Sequence, residues 1–169
     1  MKYQDYVIKS GKFIGEFEKM YQNHEDPWNQ AKDGFVENNI SRQVVCNYVN
    51  QFSIKSIVEF GCGLGKTTNF ISNKTETKVI GIDISETSIK KAKSNYPKLA
   101  FKVDDVTNIS AYSNFDCYFF SEITWYLLED KKIEKIFKEM SKSLAGKYFI
   151  HNLVFYKSNQ KYGSEYFGC

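Results

Sequence analysis

The sequence predicts an α/β fold, an open parallel sheet with helices on both faces. Three observations predict it. Short apolar, β-branched runs alternate with amphipathic stretches from Ser56 onward, the pattern of parallel strands joined by right-handed helical crossovers. The first run, Ser56-Ile57-Val58-Glu59-Phe60, breaks into glycines at alternate positions, Gly61, Gly63 and Gly65, and a helix reads on from Lys66. The ends of successive runs carry polar or acidic residues, at the edge where such sheets bind ligands.

The elements follow in order. The spacing of Tyr6, Phe13, Phe17 and Met20 predicts a helix over 2–21, and Asn23 to Trp28, a polar run interrupted by Pro27, reads as a loop. A second helix is expected after Asp33-Gly34, with Val36, Ile40, Val44, Val45, Tyr48 and Val49 on its inner side. Strand, glycine turn and helix then occupy 56–71. A second strand runs from Thr77 to Ile84, and Ser85 is placed to cap a helix that ends near Asn95, before Tyr96-Pro97. Leu99–Val106 is the third strand and Phe115–Ile123 the fourth. A helix opened by Glu129-Asp130 buries Ile133, Ile136, Phe137, Met140 and Leu144, and Gly146 closes it. Lys147–Phe155 is the fifth strand, and the expected spatial order is 3-2-1-4-5.

One domain is expected from 169 residues: a helical cap over 1–52, the core over 53–156 and a short tail over 157–169. The net charge of +3 comes from lysines spread along helices rather than a basic block, so nucleic acid is not an expected partner. No apolar run approaches the roughly 20 residues of a membrane span and no signal peptide opens the chain, which points to the cytoplasm. The four cysteines form no C-x-x-C pair, so neither a metal site nor a disulfide framework is expected. Cys117 reads as a core residue.

Glycine spacing separates the ligands that compete for a strand–turn–helix corner. A dinucleotide fingerprint would place its third glycine where Lys66 stands, and a phosphate loop would need its first glycine at Phe60. What remains is Glu59-x-Gly61-x-Gly63-x-Gly65. This resembles the first motif of the class I S-adenosylmethionine-dependent methyltransferases, whose Rossmann-like core the whole stretch 36–156 resembles. A closer likeness lies in Asp26-Pro27-Trp28 and in Ser121-Glu122-Ile123-Thr124-Trp125-Tyr126-Leu127, which look like small-molecule methyltransferases of the nodulation N-methyltransferase type.

The resemblance implies S-adenosylmethionine as cofactor, S-adenosylhomocysteine as product, and a small-molecule acceptor methylated on N or O. It implies that Glu59, Gly61, Cys62, Gly63 and Gly65 wrap the methionine part, that Asp83 holds the ribose diol, and that Ile84 packs on adenine. Asp105 would bond the adenine amino group with the Val106 amide beside the ring. Trp28 and Ser121 would complete the donor site. Asp83 also stands on its own chemistry, since one carboxylate at a second strand end suits a ribose diol. Glu122 and His151 are the candidate bases for the acceptor's proton; the plainer readings are a group that orients an ammonium and a structural histidine. The 157–169 stretch is too short for the further helix and antiparallel hairpin of the full fold, so the sheet is expected to lack that hairpin. A partner chain, such as a second copy, or the 157–169 tail itself is then expected to cover the edge beside strand five. Two rival readings are a nicotinamide-dependent oxidoreductase and a non-catalytic cofactor-binding domain.

Overall fold

A computed structural model describes residues 2–9, 12–30, 32, 34, 36–128 and 131–153. Its centre is a five-stranded parallel sheet of β3 (Ser56–Phe60), β4 (Lys78–Asp83), β5 (Ala100–Val103), β6 (Cys117–Ser121) and β7 (Tyr148–Asn152), numbered after two short N-terminal strands. The spatial order is β5-β4-β3-β6-β7, the expected 3-2-1-4-5. β3 lies in the middle, pairing Ile57 with Val79 on one side and with Cys117 on the other. A central parallel strand is covered on both faces, which is why Ile57, Val58 and Phe60 are all buried and why an apolar run was its signature.

Two cores flank the sheet. Val45, Cys46 and Val49 of α2 (Ile40–Gln51) pack with Phe70 and Ile71 of α3 (Lys66–Lys74) against Ile57, Cys117 and Phe119. On the other face, Ile136 of α5 (Lys132–Ser143) packs with Ile109 and Tyr112 against Val58, Tyr118 and Phe120. Between β4 and β5 runs α4 (Glu86–Asn95), whose cap is the expected Ser85, accepting from the Ser88 amide at 3.1 Å. No helix among the described residues is long and apolar enough to cross a membrane.

The segment before the core departs from expectation. Instead of one helix over 2–21 there is a 3-10 turn at Tyr3–Tyr6, an antiparallel pair β1 (Ile8–Lys9) and β2 (Lys12–Phe13), and a short helix α1 (Phe17–Asn23). Gly15, at φ +59, turns the chain between the pair and the helix in a conformation no helix interior adopts. The second helix also starts later. Gly34 and Val36 accept from the Asn38 and Asn39 amides in a turn, and Asn39 then caps α2 by accepting from Ser41 at 3.0 Å. Its inner face is Arg42, Val45, Cys46 and Val49, whereas Ile40, Val44 and Tyr48 are exposed. The expected face was therefore rotated, because an arginine occupies its first inward position. The expected opening of α5 at Glu129-Asp130, the end of strand five at Phe155 and the 157–169 tail lie outside the described residues.

Candidate donor and acceptor site at the carboxyl edge of the sheet

The three glycines after β3 are required for three different reasons. A Cβ on Gly61 would come within 2.0 Å of Ile123 Cγ2, so this position lets the loop after β6 close in. A Cβ on Gly65 would meet the Phe101 ring at 2.7 Å, so this glycine lets α3 settle against β5. At Gly63, φ +52, the nearest atom to such a Cβ is a single side-chain tip, the Tyr21 hydroxyl at 2.8 Å. Two of the glycines thus serve packing, and Gly63 keeps the space above the loop clear. Cys62 points away from that space, into a small core with Ile89, Ala92 and Phe101. Burial, with Asp83 and Glu59 adding to it, pushes its thiol well above the ordinary range, which removes it as a nucleophile.

Asp83 ends β4 and reaches across to the loop. Its Oδ2 accepts from the Gly63 amide and its Oδ1 from the Ser85 amide, each at 2.9 Å. Burial raises its pKa, and those backbone donors oppose the rise. Beside it, Ile84 is an apolar side chain left 53% exposed at the strand edge, a surface suited to a flat ring. Asp105 caps the following 3-10 turn instead of standing free. Its Oδ1 accepts from the Thr107 amide and hydroxyl, both at 2.8 Å, and its Oδ2 pairs with Lys132 at 3.2 Å. Val106 is buried next to it. Asp104 is bound into a separate cluster with Lys102, Asn108 and Tyr112.

Glu59 is a fully buried carboxyl in the central strand. Burial raises its pKa; Thr68, donating to Oε2 at 2.5 Å, and the nearby Arg42 charge oppose that. Ser121 lies close enough to moderate the rise further without completing a hydrogen bond to Oε1. Across the edge, Glu122 holds a left-handed backbone at φ +61, uncommon for a non-glycine residue. Its Oε1 pairs with Arg42 Nη2 at 3.1 Å, and its amide donates to the Asn152 carbonyl. His151, on β7, meets Thr124 Oγ1 through Nε2 at 2.6 Å. Loss of part of its hydration lowers its pKa from 6.5.

The N-terminal segment is strapped over this edge. Glu18 of α1 accepts from the Ser85 hydroxyl and from the Thr87 amide and hydroxyl, placing its carboxylate at the N-terminus of α4. Burial works against its ionised form, but the bonds from Ser85 and Thr87 outweigh it and hold its pKa low. In the reverse direction, Lys91 of α4 donates to the carbonyls of Tyr21 and His24 at 2.7 and 2.9 Å, satisfying the end of α1. The strap thereby sets Tyr21 over Gly63, with Trp28 Nε1 donating to its hydroxyl at 3.0 Å. Phe13 stacks on Tyr126, Phe17 meets the same ring edge-on, and Trp28 leans against it, all in one cluster with Leu64 of the glycine loop. Trp28 and Tyr126, one aromatic residue from each of the two short motifs, are thus brought together.

The structure gathers Trp28, Glu59, Gly63, Asp83, Ser121 and Glu122 around one corner, with Ile84 and Asp105 further along the β4–β5 side and His151 along the β7 side. Sequence reasoning missed Glu18, Tyr21, Arg42 and Lys91. Arg42 had a signal, being the sole arginine in a chain with 23 basic residues. The other three had none, because their roles depend on how the strap folds back.

A glycine-turned central strand with an acid at the end of its neighbour defines a nucleoside-binding α/β domain. The chain belongs to the methyltransferase domain family, whose model matches residues 57–147, more than half of its length; this is the S-adenosylmethionine-dependent class that its motifs resemble. It is 40% identical over 74 residues to putative methyltransferase 235L of Invertebrate iridescent virus 6, covering 41% of this chain and 28% of that protein. It is 29% identical over 125 residues to the phosphoethanolamine N-methyltransferase of Triticum aestivum, covering 69% and 24%. The chain therefore spans about a quarter of the length of these relatives. Its fold is shared with DesVI of Streptomyces venezuelae, with a TM-score of 0.64 at 12% identity over 81% of this chain and 58% of that one. It is shared too with N-methyltransferase NodS from Bradyrhizobium japonicum WM9, solved in complex with S-adenosyl-L-homocysteine, at 0.61 and 20% identity over 77% and 67%.

The residues present fit S-adenosylmethionine. The space above Gly63 is one that a Cβ would enter, Asp83 lies beside it, and the exposed Ile84 follows.

Proposed function

We propose that the chain transfers a methyl group from S-adenosylmethionine to a small-molecule amine. The observation that supports this reading most is the convergence of Phe13, Phe17, Trp28 and Tyr126 on the glycine-loop residue Leu64, with Glu122 at the same strand edge. Aromatic faces attract a cation, and a carboxylate at the same edge orients an ammonium, so an amine suits this side better than a hydroxyl. NodS and the wheat enzyme, both named as N-methyltransferases, agree with that choice.

In this reading Asp83 holds the ribose hydroxyls, Ile84 packs on adenine, and Asp105 with the Val106 amide faces the adenine edge. The backbone from Gly61 to Gly65 borders the methionine part, with Glu59 and Ser121 beneath it and Trp28 closing the strap. When bound, the cofactor supplies a methyl carbon already attached to a good leaving group. The protein's contribution is orientation and exclusion of water, through the strap and its rings. The acceptor nitrogen must also lose a proton. In the tautomer in which His151 Nε2–H donates to Thr124, Nδ1 keeps a lone pair to receive it, and the lowered pKa favours the neutral ring near pH 7.

The test is methyl transfer from a methyl-labelled donor to a panel of small amines and alcohols, with RNA and protein as competing acceptors. An N-methylated small amine is expected. Transfer only to RNA or protein would overturn the reading.

A further inference from the structure

The sheet has two edges, and the fold treats them differently. β5 is a four-residue strand carrying Lys102, whose exposed ammonium pairs with Asp104 at 2.8 Å. A short strand with a lysine in it is a guarded edge. β7 pairs with β6 on one side and, among the described residues, with no strand on the other. It holds no lysine, proline or acidic residue. The Tyr148 amide donates to the Asp116 carbonyl on the β6 side, and the Asn152 carbonyl accepts from Glu122 there. Because the backbone groups of a strand alternate in direction, the N–H and C=O of Phe149 and His151 point out along the open edge.

The helix beside β7 is also unlike the others. A quarter of the chain's residues are charged, and α3, α4 and α5 all expose lysines. α2 has one charged residue, Arg42, and buries it. Outward it presents Val44 and Tyr48, with Phe52 at its end, each 40–47% exposed. Tyr48 stacks on Phe52 with ring centroids 6.0 Å apart, and Phe52 leans on Tyr148 of β7 at 5.4 Å. A groove of about 340 Å³ runs between α2 and β7, with Ile150 and Asn152 along it. On the opposite face of the sheet Phe137 and Phe149 are exposed to a similar degree. Taking 150–250 Å² for a whole aromatic side chain, these groups leave roughly 500 Å² of apolar surface open. Doubled across a pair of chains that is roughly 1,000 Å², the area a stable interface requires. An uncharged face can meet a copy of itself without like-charge repulsion, and an antiparallel edge strand is its own complement, so a two-fold contact suits both.

We propose that two copies of this chain join through β7 and the outer face of α2, making one continuous sheet about a two-fold axis at Ile150. The groups on the open edge dictate that register. Centred there, Phe149 of each copy faces His151 of the other, and each of these two pairs exchanges both of its N–H···O bonds. The two copies of Ile150 stand opposite each other as a non-hydrogen-bonded pair. The axis is perpendicular to the sheet, so α2 meets α2 on one face, and Phe137 and Phe149 meet their copies on the other. The two copies of Lys147, just before the strand, are sent to opposite ends of the interface. His151 already stacks on Phe149 of its own strand, with centroids 6.0 Å apart, and gains the other copy's Phe149 beside it. The interface thereby reaches the candidate base, and each copy shields the other's from water.

The test is sedimentation velocity of the full chain at micromolar concentration, followed by cross-linking. The wild type should sediment at twice the mass of one chain. Tyr48→Lys places like charges face to face across the axis and should weaken self-association by more than about tenfold, with the circular dichroism unchanged. Should that variant fail to fold, Val44→Lys on the same face decides. Ile150→Cys should form a covalent dimer under mild oxidation, above the wild-type background, because a non-hydrogen-bonded antiparallel pair sets its Cα atoms about 4.5 Å apart, within disulfide reach. A monomeric wild type, its edge covered by another segment of the chain or by a different protein, overturns the proposal. So does a dimer that survives both lysine variants, and so does one in which Ile150→Cys gives no cross-link above background.

Discussion

The proposed donor side of the sheet edge is held chiefly by backbone, and the proposed acceptor side by side chains from distant elements. Between β3 and β4, the Gly61 and Cys62 amides both donate to the Ile82 carbonyl, the Gly63 amide donates to Asp83, and the Gly65 amide returns to Cys62. Apart from the Asp83 carboxylate, those partners are backbone, so most of the loop is fixed whatever the neighbouring side chains are. Beyond β6, Glu122 leans on Arg42 from α2, His151 leans on Thr124, and Tyr126 leans on rings from the N-terminal strap. A backbone-held loop suits a ligand that never changes. Side-chain contacts suit one that differs among related proteins, because they can be exchanged without moving the sheet.

That difference can be broken or sharpened by substitution. Gly63→Val should have the largest effect. It adds about 1–2 kcal/mol of strain at a positive φ and fills the space under Tyr21, so S-adenosylhomocysteine binding should vanish while the chain stays folded by circular dichroism. Binding at the wild-type level would misplace the loop. His151→Asn should act on the other side alone, lowering turnover by about 10²–10⁴-fold with donor affinity intact. The pH profile sharpens it. Because burial lowers the pKa of His151, the rate should climb with pH through a midpoint below the ordinary histidine value and then level off, and the variant should lose the step. Turnover within a few-fold of wild type would leave orientation as the whole mechanism. Tyr126→Leu should be mildest, raising the KM for an amine acceptor by about 2- to 30-fold, the worth of a cation–π contact, with the donor's Kd unchanged. An equal loss for an uncharged acceptor would assign Tyr126 to packing only.

The same contrast explains what was legible in the sequence. Local chemistry announced the donor side: the glycine spacing, Asp83 at a strand end and the Ser85 cap need only neighbours in the chain. The crossover rule made the five strands parallel, though it does not by itself set their order. The strap was not legible, because Gly15 and a two-residue strand pair turn what reads as one helix into a fold-back, and Glu18 finds its partners 67 and 69 positions away. Arg42 was obscured by the pattern itself. A charged residue at an inward position shifted the reading of α2 toward Ile40 and Val44, which turn out to face solvent. The third strand stops at Val103 rather than Val106, so Asp105 lies beyond it as the cap of a 3-10 turn, and its engagement with Thr107 and Lys132 depends on contacts that spacing does not encode.

The central claim is that this corner takes the sulfonium donor and not a dinucleotide. Calorimetry of the full chain with S-adenosylhomocysteine and with NAD tests it most directly, using Asp83→Ala as the control. Saturable binding of S-adenosylhomocysteine is expected, weakened by about 1.5–3 kcal/mol in Asp83→Ala, with no heat from NAD. Binding of NAD, or S-adenosylhomocysteine affinity that ignores the loss of Asp83, would contradict it.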